Sequence, residues 1–321
     1  MVYIYKIDYE KIRENILSLS DKDYIVLKSN AYGFGFTEVL QIAISSGIYK
    51  FVVISINDAV KIKKYYPKTR VLLLGPIDRH NLLACEKYKI EVTINKLDDI
   101  ALLSGYKVNV QIEVNSGMNR FGLRPNELTN ALGLLNDIDI RVTGLFSHNA
   151  TKIPAYIATQ LNSFYKLINI ISDIDIHYSS SMLKEYVITN QTARRIGEFI
   201  YKDALTVYGK IIQVNYVYKD EYIGYDFTYK MKEDGYIGII DLGYADGLER
   251  KCEGYLVYIE GSYYPLIGRA CMNHSFILLE NDDFLGKVVY FIGIDNKIAN
   301  YASYFEKINH EIYLSYLKTF K

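Results

Sequence analysis

Val26-Leu27-Lys28-Ser29-Asn30-Ala31-Tyr32-Gly33-Phe34-Gly35 is the stretch on which the reading of this chain turns. The run 24–27 is unbroken apolar, aromatic and β-branched residues, which reads as a buried strand, and small residues and glycines then read as a turn. Lys28 therefore stands where a strand ends, with its amine against an apolar wall. Burial of that kind disfavours the ammonium and lowers the pKa from about 10.4, as an imine-forming lysine requires. Tyr32 and Gly33-Phe34-Gly35 offer a hydroxyl and backbone N–H groups to an anion, just ahead of a helix predicted to start near Phe36. No Gly-Lys-Ser/Thr follows and no third glycine completes a dinucleotide fingerprint, so those two phosphate loops are excluded. Taken alone, the segment also fits a surface lysine after a strand.

Beyond that stretch, strand and helix patterns alternate. A strand over 3–7 precedes a helix capped by Asp8, and after the lysine strand come predicted strands at 51–55, 71–74, 90–94, 108–114, 142–146 and 174–178, with a short eighth at 194–197. Eight such units closing on themselves make a (β/α)8 TIM-type barrel, and apolar strand runs suit a sheet buried on both faces. The alternation by itself also fits an open doubly wound sheet, since periodicity does not count closure. From about Ala204 the pattern turns to alternating strands, at 208–218, 236–242, 256–259, 275–279, 288–292 and 312–316. The expected organisation is a barrel over 8–204 and a mostly β C-terminal domain over 205–321, joined by the N-terminal strand 1–7.

Composition narrows the function. The 321 residues are half apolar, enough for a large and a smaller packed domain. Lys plus Arg equals Asp plus Glu at 37 each, which leaves no global field for nucleic acid or an anionic membrane, so a small-molecule partner is expected. Cys85, Cys252 and Cys271 are too few and too scattered for a disulfide framework or a thiolate metal site and fit a reducing cytoplasm. The first residues lack the features of a secretion signal, and no apolar run nears the length of a membrane span. With 32 tyrosines in the chain, any single tyrosine is weak evidence.

The lysine stretch resembles the pyridoxal phosphate lysine motif of the alanine racemase family, Val-Val-Lys-Ala-Asn-Ala-Tyr-Gly-His-Gly, with Ser29 and Phe34 as its departures. Further motifs of that family recur in order. Glu113-Val114-Asn115-Ser116-Gly117-Met118-Asn119-Arg120-Phe121-Gly122 resembles Asp-Thr-Gly-Met-x-Arg-x-Gly, with Asn115 for the aspartate and Glu113 where many members carry a carbamylated lysine. Gly144-Leu145-Phe146-Ser147-His148 resembles Gly-Leu-x-Thr-His, and His177-Tyr178-Ser179-Ser180-Ser181 followed by Arg195-Ile196-Gly197-Glu198 resembles His-x-x-Asn-Ser and Arg-x-Gly. In the second domain, Tyr225-Asp226-Phe227-Thr228-Tyr229 resembles Tyr-Gly-x-Thr-Tyr, and Gly243-Tyr244-Ala245-Asp246-Gly247 reproduces its motif intact. Gly268-Arg269-Ala270-Cys271-Met272-Asn273 resembles Gly-Arg-x-x-Met-Asp, and Ile308-Asn309-His310-Glu311-Ile312 resembles Ile-Asn-Tyr-Glu-Ile.

The resemblance implies an amino-acid racemase, with alanine as substrate, that uses pyridoxal 5′-phosphate and two bases, Lys28 and Tyr225. It implies that Arg120 and the backbone of Met272 place the substrate carboxylate and that His148 and Arg195 support the chemistry, Arg195 facing the pyridine nitrogen. Tyr244 would wall the entrance. Tyr32, Ser181, Gly197, Glu198 and His310 would hold the phosphate. It further implies a homodimer whose tyrosine completes the neighbouring site. Glu113 is expected to supply the negative charge a carbamate would otherwise bring. Read without the family, Arg120 is a loop arginine, His148 a structural histidine and either tyrosine a sheet residue. A serine or broad-specificity racemase, with His310 opening the pocket, and a non-catalytic pyridoxal phosphate-binding barrel remain the alternatives.

Overall fold

The structure, a computed structural model, describes residues 4–151, 153–179 and 193–317. Two compact units emerge, one of Arg13–Ala31 and Gly35–Ile200, the other of Met1–Ile12, Tyr32–Phe34 and Tyr201–Lys321.

After β1 (Tyr5–Ile7) the chain enters eight parallel strands, β2 (Tyr24–Val26), β3 (Lys50–Val53), β4 (Arg70–Leu73), β5 (Glu91–Ile94), β6 (Val110–Glu113), β7 (Val142–His148), β8 (Asp175–Ser179) and β9 (Arg195–Ile196). They lie in chain order, with β9 on the far side of β2, and Ala193 N donates to Ile176 O (3.3 Å) beside β9, so the sheet returns on itself. The expected barrel is what forms. Each apolar run is buried because one face meets the outer helices and the other the barrel interior, where Tyr24, Val52, Leu72, Phe146 and Ala193 pack together.

The second unit is antiparallel. Its strands are β10 (Leu205–Val217), β11 (Tyr222–Ile223), β12 (Tyr229–Lys230), β13 (Gly235–Ile240), β14 (Leu256–Ile259), β15 (Ser262–Ile267), β16 (Ser275–Leu279) and β17 (Val288–Ile292). The first half of β10 pairs β1 and β17 and its second half pairs β13, with a register shift at Ile211/Gln213, so one long bent strand closes the sheet.

The structure departs from the expected strands in this unit. The strand expected at 312–316 is a helix, Asn309–Leu317. Its buried residues are Ile312, Tyr313, Tyr316 and Leu317, a helical spacing that the β-branched and aromatic composition concealed. Strands β11, β12 and β15 were not among those expected; β15 contains Pro265, and the ladder to β16 begins only at Leu266, so the missing N–H is not needed. Among the described residues, no helix is long and apolar enough to cross a membrane.

Candidate active site

The carboxyl ends of the barrel strands carry Lys28, Glu113 and His148, with Arg120 on the loop after β6; Arg195 opens β9, opposite Tyr24, and its guanidinium reaches the Ser147 carbonyl near the end of β7. Lys28 is exposed at the barrel mouth, not walled in as its strand suggested. Enough protein still surrounds the amine for desolvation, reinforced by the Arg120 guanidinium, to lower its pKa. Immediately after it, Ser29, Asn30, Ala31 and Tyr32 all take positive φ, between 51° and 57°. A left-handed turn of non-glycine residues costs about 1–2 kcal/mol per residue. It is tied down by Asn30, whose Oδ1 accepts from Phe36 N (2.9 Å) and whose carbonyl accepts from Gly35 N (3.1 Å).

Arg195 is buried. Its Nη1 donates to His177 Nδ1 (2.5 Å), its Nη2 to Ser147 O (2.7 Å), and its guanidinium lies 4.5 Å from the centre of the Phe146 ring. Burial lowers its pKa to about 10, opposed by the Glu113 carboxylate, so it is cationic at neutral pH. Glu113 is buried too, and desolvation outweighs the pull of Arg195 and Arg120, raising its pKa. Glu113, Arg120, Ser147 and His148 line one pocket. Asn115 accepts from Gly117 N and Asn119 N (both 3.0 Å), so an amide oxygen suffices to shape the loop where the family has aspartate. Gly197 and Glu198 follow β9, at the start of a short turn Glu198–Tyr201. Ser181 lies outside the described residues.

The second unit holds Tyr32, Tyr225, Tyr244, Met272 and His310. Tyr225 is 65% exposed, in a turn where Asp226 has φ +63°. That carboxylate is bracketed by Arg269 and Arg250 (3.3 Å), which explains how aspartate occupies a position the motif gives to glycine. Tyr244 N donates to Cys271 O (3.0 Å) and Ala245 N to Met272 O (2.9 Å), so backbone bonds bring Tyr244 and Met272 together. Their approach requires Gly243, where a Cβ would lie 2.4 Å from Met272 O. The rings of Tyr32 and His310 lie 5.1 Å apart, and Phe34 stacks on Tyr201 at 4.4 Å. Phe34, the departure from the motif's histidine, is thus a core residue.

The family model for the alanine racemase N-terminal domain matches residues 7–204, and that for the C-terminal domain matches 204–321. The chain belongs to the alanine racemase family. An alanine racemase of Streptococcus equi subsp. zooepidemicus is 28% identical, the match covering 96% of this chain and 94% of that protein. Among solved structures, alanine racemase from E. faecalis superposes with a TM-score of 0.85 at 24% identity, covering 97% of this chain and 95% of the other. Alanine racemase from Bartonella henselae with covalently bound pyridoxal phosphate has a TM-score of 0.88 at 21% identity, covering 99% and 98%.

Within this family member, the motif reading gave no role to His177 or Gln111, both fully buried. His177 opens the stretch that resembles His-x-x-Asn-Ser, and its ring holds Arg195. Gln111 shares a face of β6 with Glu113 two residues on, and that period-two spacing was the available signal.

Proposed function

We propose that this chain is a pyridoxal 5′-phosphate-dependent alanine racemase acting through Lys28 and Tyr225. The observation that carries the reading is the barrel mouth itself, where an amine of lowered pKa stands among the strand ends that also present a buried, side-chain-anchored guanidinium, Arg195. That donor set fits the cofactor, because the amine can be neutral for imine chemistry and a fixed cation suits a ring nitrogen that is to remain unprotonated.

When bound, pyridoxal phosphate supplies an electron-withdrawing ring that acidifies the Cα–H of an attached amino acid. Lys28 takes or returns the proton on one face of that carbon and the Tyr225 phenol on the other, which inverts the centre. Arg120 and the backbone of Met272 hold the substrate carboxylate. Tyr244 walls the entrance, and His148 supports proton movement beside Arg195. Tyr32, Ser181, the amides of Gly197 and Glu198, and His310 hold the phosphate. The barrel of 8–204 thus binds the cofactor, and 205–321 with the first strand carries the second base and the gate.

The protein acts in the cytoplasm as a homodimer with shared sites and needs no nucleic acid or membrane. Chiral analysis after incubation of each L-amino acid with protein and cofactor tests the activity, and alanine should racemise with the highest kcat/KM. A serine rate equal to that for alanine would favour the broad-specificity reading, in which His310 widens the pocket. Mixing Lys28→Ala with Tyr225→Phe protein should restore part of the activity; no restoration in a proven heterodimer refutes the shared site.

A further inference from the structure

A hydrogen-bonded network that the chemistry above does not use crosses the barrel interior. It runs from Arg195 Nη1 to His177 Nδ1 (2.5 Å), from His177 Nε2 to Gln111 Oε1 (2.8 Å), and from Gln111 Nε2 to both Tyr24 Oη (3.1 Å) and Glu91 Oε2 (2.6 Å). Tyr24 donates in turn to Asp175 Oδ2 (2.6 Å), which also receives Lys50 (2.9 Å) and Arg70 (2.6 Å) at the amino ends of β3, β4 and β8. His177, Gln111 and Tyr24 are each 0% exposed.

The donors and acceptors give every link one direction. A guanidinium only donates, so His177 Nδ1 accepts and the imidazole proton sits on Nε2. That proton needs an acceptor, so Gln111 turns its oxygen to His177 and its nitrogen to Tyr24 and Glu91. The phenol receives from Gln111 and passes its own hydrogen to Asp175. All the hydrogens point from Arg195 to carboxylates, and reversing any one would leave a buried donor facing a donor.

Packing holds the same arrangement. The His177 ring is stacked between Tyr24 (5.3 Å) and Phe146 (5.0 Å). Burial first, then the charges of Arg195, Arg70 and Lys50, lower its pKa well below the usual value, while Glu91 and Asp175 are linked to it through Gln111 and Tyr24. Gly144 makes room for the carboxamide, since a Cβ there would lie 2.7 Å from Gln111 Cδ and Oε1.

We propose that Gln111 is a positioning residue for Arg195: its carboxamide, oriented by Tyr24 and Glu91, locks His177 as a neutral acceptor and so fixes the guanidinium at the barrel mouth. The benefit to catalysis rests on the racemase reading, in which Arg195 faces the ring nitrogen. Gln111→Glu is the informative change, being the same size but replacing the donor end by an acceptor. A second carboxylate beside Glu91 favours an imidazolium at His177, whose Nδ1–H then repels Arg195 Nη1.

Two-bond 1H–15N spectra of the cofactor-free protein read His177 directly. Wild type should show one neutral tautomer, protonated at Nε2, from about pH 8 to about pH 5, and Gln111→Glu should show an imidazolium in that range. With cofactor loaded, Gln111→Glu and Gln111→Leu should lose about ten- to a hundredfold in kcat with little change in KM for alanine, because the carboxylate contacts are untouched. The cofactor's visible absorption should also gain a pH titration absent from wild type. Tyr24→Phe keeps the stacked ring and removes only the hydroxyl; it should give a smaller loss of the same kind, and it carries the test should the Gln111 variants not fold. A His177 still neutral and protonated at Nε2 in Gln111→Glu, with wild-type kcat and absorption in every variant that folds, would overturn the proposal. If His177 responds as stated but the wild type racemises no amino acid, the positioning role stands and the racemase reading fails.

Discussion

The barrel mouth and the β unit hold their candidate site residues by different means. Arg195 is buried and fixed through its own side chain, by an imidazole, a carbonyl and an aromatic ring. Tyr225 is 65% exposed, and Tyr244 and Met272 are placed by backbone bonds between two turns. The difference teaches that electrostatics are set in the barrel, where desolvation amplifies every charge, whereas the β unit sets position.

The sharpest way to break the barrel side is Lys28→Ala, expected to lower racemisation by about 10⁴-fold or more while leaving the folded state intact. Chiral chromatography with a parallel thermal melt checks it, and borohydride followed by peptide mapping should mark Lys28 in the wild type only. On the other side, Gly243→Ala should cost about 1–3 kcal/mol, because a Cβ 2.4 Å from Met272 O forces the two turns apart. Denaturant unfolding would show it, and an unchanged midpoint would contradict the close approach.

A pH series sharpens the contrast further. The folded pKa of His177 lies well below that of an unfolded histidine, chiefly through burial. Below about pH 6.5 the unfolded chain therefore binds a proton that the folded barrel refuses. This contribution to stability is complete above that pH and is lost as pH falls from there towards the folded value. His177→Gln should flatten that part of the curve of Tm against pH, whatever its effect at neutral pH. The smallest effect belongs to Asp226. Asp226→Ala loses two exposed ion pairs and keeps a strained φ, for about 1 kcal/mol, whereas Asp226→Gly relaxes the backbone and should be nearly neutral. Equal destabilisation by both would show that the ion pairs dominate.

Much of this was legible in advance. The apolar runs of β2 to β8 announced a sheet buried on both faces, and Lys28, Glu113 and His148 fell at the carboxyl strand ends where barrel chemistry sits. The lowered pKa of Lys28 was legible but its exposure was not, because an apolar strand before it does not say what stands beyond its tip. The final helix was misread because Ile and Tyr favour strands by composition while their burial follows a helical period. For Gln111 the sequence offered only its period-two spacing from Glu113, and nothing linked it to His177, since neither residue type announces what it will bond.

The sequence alone determined the elements that depend on local order: the period-two and apolar runs, the strand-end lysine, and turns whose glycines and asparagines accept positive φ. Only the tertiary structure decided which buried groups meet. Tyr24 and Asp175 stand 151 residues apart yet share a 2.6 Å hydrogen bond. A side chain's protonation depends on the water removed from it and on the charges brought near, and both are properties of the folded barrel.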